Sequence, residues 1–242
     1  MRTPGFDISV ANDNLASSLD DVDFGKAYAE GGKRFVWHKA TEAETYEDPQ
    51  FRAFVERASR TPLKQFAYTF GRPDEDARDD VEKFLRATEP VLGKLPYAPV
   101  YDMESRGKNM SAHQVVDFVG AWERFYLAER GCGILLYSYV GFLAELVKDL
   151  GGPGSAGAQA IVRYPLAIAH YTDAPEPVVP APWTRWTFWQ WAASMQGGPI
   201  GICPGVTGKV DLDWFAGEVE DLEWLSSGRF DPNSVRGDGG VT

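Results

Sequence analysis

Eight short apolar stretches recur along the chain, and between most of them lie segments whose apolar side chains repeat at helical spacing. The stretches are Phe6 to Val10, Phe35 to Lys39, Gln65 to Phe70, Ala98 to Tyr101, Ile134 to Tyr137, Pro165 to His170, Thr187 to Trp191 and Val210 to Leu212. Parallel neighbours need long crossovers rather than tight turns, so this alternation predicts a parallel α/β sheet covered by helices. The clearest helix follows a cap at Ser111, where Val115, Val116, Phe118, Val119, Trp122, Phe125 and Tyr126 fall at helical spacing. Others are expected over Phe24 to Ala29, Pro49 to Ala58, Asp74 to Leu85 and Val140 to Leu150, the last stopped by Gly151, Gly152 and Pro153. Pro175, Pro177, Pro180 and Pro182 exclude a helix from Thr172 to Pro182, so the later half should be irregular. The expectation is an α/β fold: a modified, irregular (β/α) TIM-like barrel in a single domain over residues 1–225. Residues 226–242, rich in Gly, Ser and Asp, read as a flexible polar C-terminal tail.

Composition narrows the function. With 24 Lys plus Arg against 35 Asp plus Glu, the net charge of −11 argues against binding a phosphate backbone, so no nucleic-acid partner is expected. No run approaches the roughly 18 apolar residues of a membrane helix, and no membrane insertion is expected. Cys132 and Cys203 stand far apart and His38, His113 and His170 lack ligand spacing, so no metal or other cofactor is anticipated. The start, Met1 to Asp7, has no apolar signal core, which suggests cytoplasmic synthesis followed by some form of release.

In a (β/α) barrel the chemistry gathers at the C-terminal ends of the strands. Asp7 and Ser9 lie in the first strand, Thr41 and Glu42 past the second, Asp102 and Glu104 past the fourth, Gln190 in the seventh and Asp211 in the last. In extended chain, positions i and i+2 share a face with Cα atoms roughly 6.6 Å apart, so Asp102 and Glu104 can reach one substrate. Two acids so placed can differ in pKa, one ionised and one protonated, as glycosidic cleavage requires. A solvated acidic loop carries the same Asp-x-Glu pattern, and the pattern alone does not separate the two.

The order of several blocks does more. Gly5-Phe6-Asp7-Ile8-Ser9, Lys39-Ala40-Thr41-Glu42, Ala67-Tyr68-Thr69-Phe70 and Pro99-Val100-Tyr101-Asp102-Met103-Glu104 follow one another. Then come Ile134 to Ser138, Pro165 to Tyr171, Trp186 to Trp191 and Gly208 to Phe215. Over nearly the whole chain this series resembles glycoside hydrolase family 25, the lysozymes (N-acetylmuramidases) of bacteria, fungi and phages. The resemblance implies an irregular (β/α) barrel and hydrolysis of the β-1,4 bond between N-acetylmuramic acid and N-acetylglucosamine. Bacterial peptidoglycan glycan strands would be the partner. It implies Glu104 as proton donor and Asp102 as its partner, most simply on a substrate-assisted path, with direct attack by Asp102 as the other option.

Asp7 and Asp211 carry over as further acids of the groove floor, although Asp7 could instead brace the first loop. Asp213 is expected to cap the final helix. Tyr68, Tyr137, Trp189 and Gln190 match positions where the family lines its cleft, yet strand aromatics also build cores, and one sequence does not fix the register. Lys39 reads as an ion-pair partner, and Glu42 as either its counter-ion or a sugar contact. Thr69 stands where the family usually has His, Ala167 where it often has Trp, and Trp37-His38 replace the usual aliphatic pair. These departures are expected to touch the groove wall. The first loop, Ala11 to Asp23, lacks the family's usual Trp.

A non-catalytic glycan-binding or structural phage barrel is the rival reading, and a glycosidase of other specificity a weaker one. Loss of an acid would mark the first rival, but Asp7, Asp102, Glu104 and Asp211 are all present. The acidic balance offers no attraction to an anionic wall, so binding should rest on local contacts and respond modestly to salt. Release of the phage endolysin type would bring such a protein to its wall.

Overall fold

The structure is a computed structural model that describes residues 2–12, 21–94, 98–193, 198–222 and 225. Its strands are β1 (Thr3–Ile8), β2 (Phe35–Glu42), β3 (Tyr46–Glu47), β4 (Lys64–Phe70), β5 (Val100–Asp102), β6 (Leu135–Tyr139), β7 (Leu166–Ala169), β8 (Phe188–Ala192) and β9 (Asp211–Phe215). In β2, Phe35 and Trp37 alternate with Val36 and His38, and all four are buried. A strand covered on both faces needs a filled interior on one side and helices on the other.

That is the arrangement. From β1 the sheet runs through β2, β4, β5, β6, β7 and β8 with every pair parallel. β9 then closes the ring antiparallel to both β8 and β1. β3 is a two-residue antiparallel appendage on β2. The expected (β/α) barrel in a single domain is therefore present, and the expected all-parallel sheet is corrected at its last stave. No helix lies between β8 and β9 among the described residues, so the chain turns back from the top of the barrel and descends.

The helices are α1 (Phe24–Ala29), α2 (Phe51–Ala58), α3 (Ala77–Thr88), α4 (Ala112–Arg130), α5 (Val140–Asp149), α6 (Ala156–Ile161) and α7 (Val219–Leu222). α4 is fixed at its start by a reciprocal capping box between Ser111 and Gln114, and at its end by Gly131, whose φ of 70° is left-handed. No described helix joins β7 to β8, where the prolines stand. The short elements β3 and α6 were not expected, since two to six residues carry too little periodicity to register, whereas the final helix expected after Asp213 is α7, which begins at Val219. No described helix is long and apolar enough to cross a membrane. The tail expected over 226–242 lies outside the described residues.

Inside the barrel, inward-facing aromatics build a floor. The Phe188 ring lies 4.9 Å from Trp37, 5.0 Å from Phe215, 5.2 Å from Phe35 and 5.6 Å from Phe66, centroid to centroid. A Cβ at Gly5 would stand 2.3 Å from the Phe35 ring, so glycine is what lets β1 pass this floor. Outside, Trp122 of α4 stacks on Tyr126 and packs against Phe84 of α3 and Tyr101 of β5. Because Phe188 touches four rings and is fully buried, Phe188→Ala should cost about 3–5 kcal/mol. Denaturant unfolding monitored by tryptophan fluorescence should report this as a lower midpoint at unchanged slope.

Candidate active site

The barrel's top end gathers polar groups because of strand direction. Parallel strands deliver their last inward residues there: Asp7 from β1, Tyr68 from β4, Asp102 from β5, Tyr137 from β6 and Gln190 from β8. β9 runs the other way, so its first residue, Asp211, arrives at the same level, directly opposite Asp7 in the pairing. Together with Glu104, Tyr171, Trp37 and Val100 they line one open pocket of 210 Å³.

The Asp-x-Glu segment is held rigidly. Asp102 ends β5, and the Met103 N–H donates to the Tyr137 carbonyl at 2.8 Å, which continues the ladder one step. Asp102 and Glu104 thus share the pocket face, while Tyr101 and Met103 are buried on the helix side. The Gly71 N–H donates to the Asp102 carbonyl at 2.9 Å, and the Ser138 hydroxyl to the Met103 carbonyl at 2.6 Å. A Cβ at Gly71 would stand 2.1 Å from the Tyr101 hydroxyl, so this approach also requires glycine.

Burial dominates the electrostatics. The Asp102 carboxyl is pushed well above the usual carboxylate range by burial and then by the neighbouring Glu104, against the pull of Lys39 and Arg72. Burial and the charge of Asp211 raise Glu104, and a hydrogen bond with Tyr137 partly offsets them. Asp7 is raised well above its ordinary value by burial, Asp211 and Asp213, with the Gln190 hydrogen bond opposing. Acids that repel one another in a shielded site titrate as a group and release protons late. The pocket therefore favours a protonated carboxyl beside an ionised one to higher pH than free carboxyls would.

Gln190 is oriented by its neighbours. Its Oε1 accepts from the hydroxyls of Tyr137 at 2.8 Å and Tyr171 at 2.7 Å, leaving Nε2 to donate to Asp7 Oδ2 at 2.6 Å. Tyr171 was not singled out in the sequence, although its place just past the β7 strand marks it. Trp37 was noted only as a departure; it lines the pocket with a buried indole N–H that has no partner among the described groups.

Other expectations are corrected. Trp189 does not face the cleft: it alternates with Gln190, packs outward beside Trp186 and Arg2, and donates its N–H to the His170 carbonyl at 2.8 Å. Glu42 stands outside the pocket lining, with its carboxylate bridging Lys39 at 2.9 Å and Arg72 at 2.5 Å. Thr69 and His38 are likewise not groove wall. The Thr69 hydroxyl lies 2.8 Å from that of Thr41 and reaches Asp80 of α3 at 3.5 Å. His38 faces Phe24 and Phe51, with Nε2 3.0 Å from the Gln65 amide, and burial lowers its pKa to about 3. Ala167 does face the barrel interior, in the same cluster as Trp37. Asp213 caps no helix: it is fully buried in β9, one inward position below Asp211. Most of the first loop lies outside the described residues. Among those residues no three His, Cys, Asp or Glu side chains are grouped to hold a metal ion.

Glu104's raised affinity for its proton should depend on Asp211. Asp211→Asn removes a like charge, so the Glu104 carboxyl should titrate at lower pH than in wild type. Carbon-13 NMR titration of the glutamate carboxyls would read the shift, and an unmoved Glu104 would contradict this account.

Comparison with known proteins places this architecture. YegX of Escherichia coli strain K12 is 29% identical over 81% of this chain and 64% of its own length. The N,O-diacetylmuramidase of Arthroderma benhamiae is 28% identical over 93% of this chain and 86% of that protein. The crystal structure of the bacterial lysozyme from Streptomyces coelicolor superposes with a TM-score of 0.74 at 22% identity, covering 93% of this chain and 96% of that one. This chain spans only 64% of the length of YegX. The sequence profile of the glycosyl hydrolases family 25 matches residues 12–198, and with the barrel and its acidic pocket this establishes that the chain belongs to that family.

Proposed function

We propose that the protein is a muramidase that hydrolyses the β-1,4 bond between N-acetylmuramic acid and N-acetylglucosamine in bacterial peptidoglycan. The observation that carries this reading is the pair Asp102 and Glu104, side by side on one pocket face and both raised in proton affinity. Family membership and a relative named N,O-diacetylmuramidase support it.

The chemistry follows from that placement. Glu104, half-buried and raised in proton affinity, donates its proton to the glycosidic oxygen as the bond to the anomeric carbon breaks. The substrate's own acetamido oxygen attacks the anomeric carbon, while Asp102 holds the acetamido N–H and stabilises the positive charge that develops. The Glu104 carboxylate then takes a proton from water as that water opens the cyclic intermediate, which regenerates the acid and retains the anomeric configuration. Adjacent acids suit this division better than the wider spacing that an inverting pair needs to seat a water. Tyr68, Tyr137, Gln190, Asp7 and Asp211 surround the sugar in this reading.

Digestion of peptidoglycan, with fragments reduced by borohydride and identified by mass, tests it. Wild type should release fragments with reduced muramic acid ends, and Glu104→Gln should lower that rate about 10²–10⁴-fold while remaining folded. Asp211→Asn should move the alkaline limb of the rate profile to lower pH, because Glu104 must be protonated for bond cleavage and would lose its proton earlier. Absence of release by wild type on several walls would favour a glycan-binding barrel instead.

A further inference from the structure

Asp213 is fully buried inside the barrel between the aromatic floor and the pocket, and neither of its carboxyl oxygens has a donor partner. It pairs with Gly5 of β1 and with Gln190 of β8, so it sits beneath the Asp7–Gln190 contact. Its hydrogen-bonding neighbour is another carboxyl, that of Asp7. Two carboxylates cannot bond to each other; such a contact requires a proton on one of them.

The surroundings allow one proton and not two charges. Asp7 already accepts a hydrogen bond from Gln190 Nε2 at 2.6 Å, and the Gln190 amide is turned that way by Tyr137 and Tyr171. Asp213 receives nothing comparable. The charged groups facing it are Asp7 from β1, Asp211 on its own strand and Lys33 from the turn before β2. Lys33 makes no ion pair with it, and burial lowers the affinity of the Lys33 amine for its proton. β8 contributes only the neutral Gln190.

We propose that Asp213 is a positioning residue that shares a single proton with Asp7, so that one O–H bridges the two carboxyls from below while Gln190 donates to Asp7 from the side. Asp7 is thereby held as one fixed negative charge at the groove floor, and a second charge is kept out of the barrel. The inference rests on reading the pocket as the hydrolase site only for its catalytic consequence; the proton itself can be observed without turnover.

The test compares wild type with Asp213→Asn, whose amide N–H can donate to Asp7 as the protonated acid does. Infrared difference spectra near neutral pH should show one protonated-carboxyl carbonyl band more in wild type than in Asp213→Asn. Stability gives the second readout. A buried acid with raised affinity stays protonated in the fold after the unfolded chain has lost its proton, so its contribution is full at low pH and declines as pH rises. The Tm of Asp213→Asn should therefore gain on wild type by about 2–4 °C or more between about pH 4 and about pH 8. Asp213→Asn should keep its hydrolytic rate within about threefold of wild type, whereas Asp213→Ala, which offers no donor, should lower kcat more than it changes KM. Identical carboxyl bands together with parallel Tm profiles would mean that the two acids share no proton, and would overturn the proposal. Loss of the band in an enzyme without muramidase activity would sustain the shared proton and refute only the assigned substrate.

Discussion

Carboxyl groups buried together without a matching cation must keep protons or repel one another, and most of this barrel's upper half answers that requirement. Asp7, Asp102 and Asp213 are all nearly inaccessible, and each is pushed upward by burial first and by a neighbouring acid second. The nearest cations at the rim, Lys39 and Arg72, are both engaged by Glu42 and reach Asp102 only at a distance. Glu42 therefore restrains these two cations. Free of that carboxylate, their charges would pull more strongly on Asp102 and favour an ionised pair in place of one that retains a proton.

Holding such groups close requires a frame that cannot relax away from them. The aromatic floor supplies it from below, and closure of the ring by β9 supplies it from the side. Because β9 is antiparallel, alternate residues Asp211, Asp213 and Phe215 descend through the interior from pocket to floor. A parallel eighth strand would bring its last inward residue to the pocket and leave Phe215 there. The direction of this one strand thus decides that acids lie above and an aromatic ring below.

Much of the frame was legible in the chain, since eight apolar stretches and their helical spacers survive in any reading of periodicity. The reversal of β9 was not, because strand direction depends on the path of the connection and the local pattern of Val210 to Leu212 is the same either way. Asp102, Glu104, Asp7, Tyr68 and Tyr137 were legible from their positions at strand ends, and the structure brings them into one pocket. Trp189 and Thr69 were misread for one shared reason: neighbouring strand residues face opposite sides, and a shift of one residue exchanges groove for helix layer. Asp213 was misread because a helix cap and a buried acid look alike when the strand's end is placed at Leu212 instead of Phe215.

A peptidoglycan substrate, as proposed, would give the arrangement a further logic. A protein of net charge −11 would meet an anionic wall without long-range attraction, so its grip would have to come from short contacts inside the groove. The glycosidic oxygen and the acetamido group are neutral, and they gain a proton or positive charge only as the bond breaks. A floor of closely held acids is indifferent to the neutral ground state and favourable to that developing charge. In the proposed reaction, repulsion among the acids would help the first step by raising the hold of Glu104 on its proton, and their field would help the second by stabilising the cation. A compensating lysine in the pocket would weaken both effects, and none is found among the described residues that line it.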